Sequence, residues 1–151
     1  MSYIWALDIS LSNTGICIFD GNENVIELFS IPTNTSKVLG ERLKIIVDTI
    51  LFYKEKYSTK LIILENAFSR YNISTFQLYR CHGLINYIFW DCKQVYYPSS
   101  TIKKIVCGNG KADKTMVQKQ VSKIYPNLIF KSNDESDACA IGICYFMQEK
   151  K

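Results

Sequence analysis

The sequence lacks the features that mark several common functional classes. No apolar run reaches the roughly 20 residues that a membrane span needs, and Asp8 stands where a signal peptide would be apolar. No GxxxxGK(S/T) loop is present, which argues against a P-loop ATPase. The one histidine, His82, lies among apolar residues, so it is expected in the core rather than in a catalytic triad.

The six cysteines show none of the usual pairings. No CxxC motif is present, and the cysteines lie inside apolar stretches. Cys81, His82 and Cys92 would provide part of a zinc site, but no second ligand pair completes it. Free core thiols in a reducing compartment are the better interpretation. We therefore expect a cytoplasmic protein without a membrane segment, and its 151 residues are typical of one domain.

Acidic residues are scarce in the middle of the chain. Residues 66–131 carry ten basic side chains and two acidic ones, Asp91 and Asp113, for a net charge of +8. Residues 1–65 and residues 132–151 each carry a net charge of −2. A basic middle between acidic flanks is typical of a surface that binds a polyanion beside a metal site. An ordinary solvated lysine face is the alternative interpretation.

Hydrophobic periodicity predicts an alternation of strands and helices. The strands are expected at residues 3–9, 14–19, 24–31, 61–65 and 95–97. The helices are expected at residues 36–57, 73–90, 99–106, 113–124 and 132–147. The first three strands are close enough in sequence for an antiparallel meander, whereas the last two follow helical crossovers and should be parallel additions. The expected fold is therefore α/β, with a five-stranded mixed sheet flanked by helices.

Two of the apolar strands end in a carboxylate. Asp8 comes near the end of the first strand, and Glu65 ends the fourth. Because neighbouring parallel strands have their carboxyl ends at the same edge of a sheet, we expect these two side chains to lie close together. Open α/β sheets bind their ligands at this edge.

The last helix opens with three acidic residues. Ser132 and Glu135 fit a capping box, which would use Glu135 to hold the helix start. Asp134 and Asp137 are then left three residues apart on one helix face. Either they simply favour the positive helix N-terminus, or a divalent cation offsets their mutual repulsion. Combined with the two strand-end acids they form a set of hard oxygen ligands, which suits Mg²⁺ or Mn²⁺ and a two-ion site for phosphodiester hydrolysis.

Four segments together resemble the RuvC-type Holliday-junction resolvases of the RNase H-like superfamily. They are ALDISLSNTG (6–15), ILENAF (63–68), YPSSTIKKIVCGNGKADKTMVQKQV (97–121) and DESDACAIGIC (134–144). The resemblance spans nearly the whole chain, and GNGKADKTMVQKQV is its most specific part. Cellular members have Pro-Gly-Ser where this chain has Ile9, Ser10 and Leu11, and residue 66 is Asn rather than Gln. These departures favour a viral member of the family, from a phage.

The resemblance implies a single RNase H-like nuclease domain over residues 1–151. It implies a Mg²⁺-dependent endonuclease, also able to use Mn²⁺, that holds two ions and resolves four-way and other branched DNA by paired symmetric nicks. The catalytic, metal-binding residues would be Asp8, Glu65, Asp134 and Asp137. DNA contacts are expected from Phe68, Arg70, Lys103, Lys111 and Lys114.

Phe68 has two possible roles. It is expected to stack on an unpaired base, although a core phenylalanine is the other interpretation.

The family acts as a homodimer, and the aromatic helix at residues 73–90 is the candidate interface. A catalytically silent protein of the same fold that binds branched DNA is the alternative function. An actin-like phosphotransferase would need a second domain, which this length does not supply.

Overall fold

The computed structural model describes residues 2–67 and 72–151. Its strands are β1 (Tyr3–Asp8), β2 (Asn13–Phe19), β3 (Val25–Pro32), β4 (Thr59–Glu65) and β5 (Lys93–Tyr97). Its helices are α1 (Leu39–Lys56), α2 (Ile73–Ile88), α3 (Ser99–Cys107), α4 (Lys114–Ile124) and α5 (Asn133–Glu149). Each element predicted from the sequence is therefore found, with boundaries that differ by a few residues.

The strands form one mixed sheet in the order β3-β2-β1-β4-β5. β2 pairs antiparallel with both β1 and β3, whereas β4 is parallel to β1 and β5 is parallel to β4. This confirms the predicted topology. In the ladder between β1 and β4, Leu7 lies beside Leu64, so Asp8 and Glu65 follow one step later at the same edge.

The sheet separates two hydrophobic cores, because successive side chains of a strand point to opposite faces. On one face Trp5 and Leu7 pack with the buried side chains of α1 and α2. On the other face Ala6 and Ile63 pack with α3, α4 and α5. Asp8 and Glu65 share the alternation of Ala6 and Ile63, and both therefore lie on the α5 side of the sheet.

Helix α2 has one buried and one exposed face, and both contain apolar residues. Cys81, His82 and Ile85 are buried on the inner face, and burial lowers the pKa of the His82 imidazole. Phe76 and Tyr87 are exposed on the outer face. The core assignment of His82 is confirmed, and the outer face is available to a partner.

All six cysteines are free thiols, as expected. Within residues 2–67 and 72–151, none of the helices combines the length and the apolar character that a membrane span requires.

Candidate active site

Three aspartate side chains meet at the edge of the sheet where β1 and β4 end. Asp8 is the last residue of β1, and Asp134 and Asp137 lie in the first two turns of α5. One carboxylate oxygen from each lies within 4.8 Å of the others. Oxygens at this spacing can hold a divalent cation of the hard type. Glu65 lines the same cleft but lies outside this close group of three.

Ser132 caps the start of α5, as the sequence predicts. Ser132 is the N-cap residue, and its Oγ accepts a hydrogen bond from the backbone N–H of Glu135 at 3.4 Å. The Glu135 side chain is buried and accepts hydrogen bonds from the hydroxyls of Ser132 and Ser30, each at 3.4 Å. The N-cap bond of the predicted capping box is confirmed, whereas the Glu135 carboxylate accepts from the Ser132 hydroxyl instead of from the Ser132 backbone N–H. Glu135 is engaged in holding the helix start, and it is not one of the three clustered acids.

A close approach between β2 and α5 brings the helix aspartates to β1. Gly15 of β2 pairs with Asp8 in the antiparallel ladder. A Cβ atom at residue 15 would lie 2.0 Å from the backbone oxygen of Asp134, which is far inside any allowed contact. Only glycine therefore lets the start of α5 lie against the strand beside Asp8. The same device recurs further along, where a Cβ at Gly142 would lie 2.3 Å from the ring of Phe19.

Asn13 makes a contact to the cluster that the sequence did not predict. It is the first residue of β2, and its Nδ2 donates a hydrogen bond to Oδ2 of Asp134 at 2.9 Å. The two residues are 121 positions apart, so no local motif indicates the contact. For Gly15 a signal was available, because a glycine inside a strand pattern often marks a close backbone approach.

The clustered carboxylates repel one another and are partly withdrawn from water. Burial raises the pKa of Asp8 well above its ordinary value, and the negative charges of Asp137, Glu65 and Asp134 raise it further. Burial also raises the pKa of Asp137 to about 6, against the attraction of the nearby Lys114. Both shifts show that the site favours fewer negative charges or more positive ones. A bound cation would supply the missing positive charge.

The acids line a cleft of about 290 Å³ that also presents two of the predicted lysines. Lys103 of α3 and Lys114 of α4 line this cleft together with the four carboxylates. Lys111 is exposed but does not line it. Phe68 and Arg70, the other two expected DNA contacts, lie outside the described residues. The structure thus brings together two of the five predicted DNA-binding residues.

A family model described as Crossover junction endodeoxyribonuclease RuvC matches residues 4–145. The chain belongs to the RuvC family. A RuvC protein of Wolbachia sp. subsp. Brugia malayi is 32% identical over 152 residues, which cover 96% of this chain and 94% of that protein. The RuvC protein of Ehrlichia ruminantium (strain Gardel) is 31% identical over 156 residues, covering 97% of this chain and 98% of that protein. Both relatives are bacterial, so they lend no support to the expected phage origin.

Solved structures of RuvC and of a viral resolvase have the same fold. Thermus thermophilus RuvC in complex with a Holliday junction substrate superposes with a TM-score of 0.85 at 16% identity, covering 99% of this chain and 96% of that chain. Fowlpox virus resolvase, in a complex with substrate Holliday junction DNA, gives a TM-score of 0.58 at 14% identity and covers 98% of both chains. The RNase H-like fold that the resemblance implies is therefore confirmed for this RuvC-family chain.

Proposed function

We propose that this RuvC-family chain is a metal-dependent endonuclease that cleaves four-way DNA junctions, and other branched DNA, by paired symmetric nicks. The observation that carries the proposal is the convergence of three aspartate oxygens within 4.8 Å, in a cleft that also presents two lysines. Full-length relatives named crossover junction endodeoxyribonuclease support the choice of substrate. Residues 1–151 would act as one nuclease domain in the cytoplasm.

The donor set fits a hard divalent cation. Asp8, Asp134 and Asp137 would hold the metal, with Glu65 of β4 as the fourth ligand. All four offer only carboxylate oxygens, which suit Mg²⁺ and allow Mn²⁺ to substitute. Two bound ions would neutralise the reacting phosphate and assist both the attack of water and the departure of the 3′ oxygen. The chain's own part is to hold four carboxylates on two strand ends and one helix, which position side chains more precisely than loops do.

The lysines of the cleft give the site its affinity for the DNA backbone. Lys103 and Lys114 would bind phosphate oxygens next to the bond that is cut, because they line the same cleft as the acids. Lys111 and Arg70 would extend this contact along the strand. Phe68, three residues after Glu65 in the sequence, would stack on a base freed at the branch point, where unpairing costs least.

Paired nicks require two active sites, since a four-way junction offers two equivalent strands. We propose that the chain forms a homodimer through the exposed face of α2 and the residues that follow it. Phe76, Tyr79, Tyr87 and Trp90 are exposed there, and an exposed aromatic patch of this kind is typical of a protein interface. Tyr87→Glu is expected to yield monomers in analytical ultracentrifugation while the circular dichroism spectrum stays unchanged. A dimer that persists in this variant would place the interface elsewhere.

Cleavage of a labelled synthetic four-way junction tests the main proposal. Cleavage is expected with Mg²⁺ or Mn²⁺, and neither with EDTA nor on a linear duplex of the same sequence. Asp8→Asn should abolish cleavage without weakening junction binding, because the change removes negative charge from the DNA-binding cleft. Asp48→Asn is the matched control, since Asp48 is an exposed carboxylate on α1. Junction binding without cleavage by the unaltered protein would favour the catalytically silent alternative.

A further inference from the structure

Asn13 lies against the acid cluster on a tightly held segment. Its backbone N–H donates to Oγ of Ser10 at 3.0 Å. The neighbouring Thr14 hydroxyl donates to the carbonyl of Ser10 at 2.6 Å, and the carbonyl of Ser12 accepts from the N–H of Thr33 at 2.9 Å. These bonds fix the segment that leads from the end of β1 into β2. The backbone that carries the Asn13 side chain is therefore held in place beside Asp134.

The two polar atoms of the Asn13 side chain have unequal surroundings. Nδ2 donates to the carboxylate of Asp134 at 2.9 Å. Oδ1 is buried and has no hydrogen-bond donor among the residues that the structure describes. A buried oxygen without a partner costs about as much stability as one hydrogen bond to a charged group contributes. Asn13 therefore adds little to folding stability in comparison with an apolar residue of its size. Its main effect is on the orientation of the Asp134 carboxylate.

We propose that Asn13 is a positioning residue of the metal site. By donating to one carboxylate oxygen of Asp134, it restricts that carboxylate to the orientation in which it lies within 4.8 Å of the oxygens of Asp8 and Asp137. Without the bond, the Asp134 side chain can rotate away from its two negative neighbours, which relieves repulsion in the absence of a cation. Hydrogen bonds that orient ligands in this way typically change metal affinity by about 10-fold to 100-fold. The inference rests on the proposed function, since it assumes that Asp134 is a ligand.

Binding of Mn²⁺ to the full chain without DNA tests the proposal. Asn13→Leu keeps the side-chain size and removes the donor. Its Mn²⁺ dissociation constant, measured by isothermal titration calorimetry, is expected to rise about 10-fold or more, with little change in the melting temperature in EDTA. In single-turnover cleavage the Mn²⁺ concentration that gives the half-maximal rate should rise in parallel, while the rate at saturating Mn²⁺ recovers.

The chain offers a matched control in the β2–β3 turn. There Nδ2 of Asn24 donates to Oδ2 of Asp20 at 3.0 Å, which is the same amide–carboxylate pair at an exposed position. Asn24→Leu should leave the Mn²⁺ affinity unchanged. This control separates the loss of an asparagine–aspartate bond in general from the loss of the bond to Asp134.

Three other outcomes would each contradict the positioning role of Asn13. Mn²⁺ affinity of Asn13→Leu within about two-fold of the unaltered chain, against the 10-fold or more expected, overturns the positioning role and leaves the metal site intact. If Asn13→Leu does not fold, Asn13→Ala is measured instead, and failure of both variants to fold shows that Asn13 serves the fold rather than the site. An unaltered chain that binds no Mn²⁺ removes the proposed metal site itself, and the positioning role with it.

Discussion

Asp137→Asn is expected to make the metal-free protein more stable while it abolishes cleavage. The carboxyl of Asp137 has its pKa raised to about 6, chiefly by burial, because the folded protein disfavours its negative charge. In the unfolded chain the same group releases its proton near the ordinary pKa of 3.8. Between these two values the folded state binds more protons than the unfolded state, so the free energy of unfolding falls as the pH rises. An asparagine has no such charge and escapes this loss.

The magnitude follows from the size of the pKa shift. A rise from 3.8 to about 6 corresponds to about 3 kcal/mol at pH 7.5, where both states are ionised, since one pKa unit is worth about 1.4 kcal/mol. Asp137 is partly exposed, and solvent screening lowers the expected gain to about 1–2 kcal/mol. For a protein of this size the melting temperature should rise by about 3–6 °C. At pH 4.5 the folded carboxyl is protonated, so the gain should shrink to well under half.

Urea unfolding in EDTA at pH 7.5 and at pH 4.5 measures the free energy of unfolding of both proteins, and hence the stability gain of the variant at each pH. Asp48→Asn is the control, because Asp48 forms only an exposed ion pair with Lys44 and its loss should change stability by less than about 1 kcal/mol. Addition of Mg²⁺ should stabilise the unaltered protein by mass action, and Asp137→Asn much less. The reasoning would be refuted if Asp137→Asn were less stable than the unaltered protein in EDTA at pH 7.5. It would also be refuted if the variant gained the same stability at pH 4.5 as at pH 7.5.

Three further predictions concern the neighbours of the cluster. Gly15→Ala should lose stability and weaken Mn²⁺ binding in calorimetry, because its Cβ would lie 2.0 Å from the backbone oxygen of Asp134; normal Mn²⁺ affinity would show that the start of α5 can move without harm. Lys114→Ala should reduce the slope of log affinity against log salt for junction binding by about one, and an unchanged slope would mean that Lys114 contacts no phosphate. Glu135→Gln should cleave junctions normally, since the amide oxygen of glutamine can accept the same hydrogen bonds from the hydroxyls of Ser132 and Ser30, and an inactive Glu135→Gln would make Glu135 part of the catalytic set.

The order of elements was predictable because each one carries its own periodic pattern. Helix α1 begins at Leu39 rather than at residue 36, and two strands begin earlier than predicted, each with a polar residue. β4 starts at Thr59 rather than at residue 61, and β5 starts at Lys93 rather than at residue 95. The hydroxyl of Thr59 donates to the carbonyl of Tyr3 on β1 at 2.6 Å, which holds Thr59 at the start of β4. Such bonds depend on the neighbouring strand, so no local pattern in the sequence indicates them.

The acid cluster was only partly predictable for a related reason. Strand polarity placed Asp8 and Glu65 at one edge, and the capping box separated Asp134 from Glu135. The sequence does not indicate which of the four acids lie closest to one another. The packing of α5 against β2 at Gly15 draws the helix acids toward Asp8, and Glu65 lies outside the closest group. That packing distance depends on contacts between residues far apart in sequence.

The charge of the cleft itself bears on whether the chain binds DNA passively or cuts it. Among residues 2–67 and 72–151, the cleft is lined by four carboxylates and two lysines, whose formal charge is −2 when all six are ionised. A phosphodiester that entered this cleft without metal would meet net repulsion at short range, where screening by salt is weak. A surface selected only to hold branched DNA gains nothing from four acids beside its lysines. Two divalent ions would reverse the formal charge to +2 and convert the same residues into a phosphate site. The four acids are therefore a cost for a binding protein and a requirement for a metal-dependent nuclease.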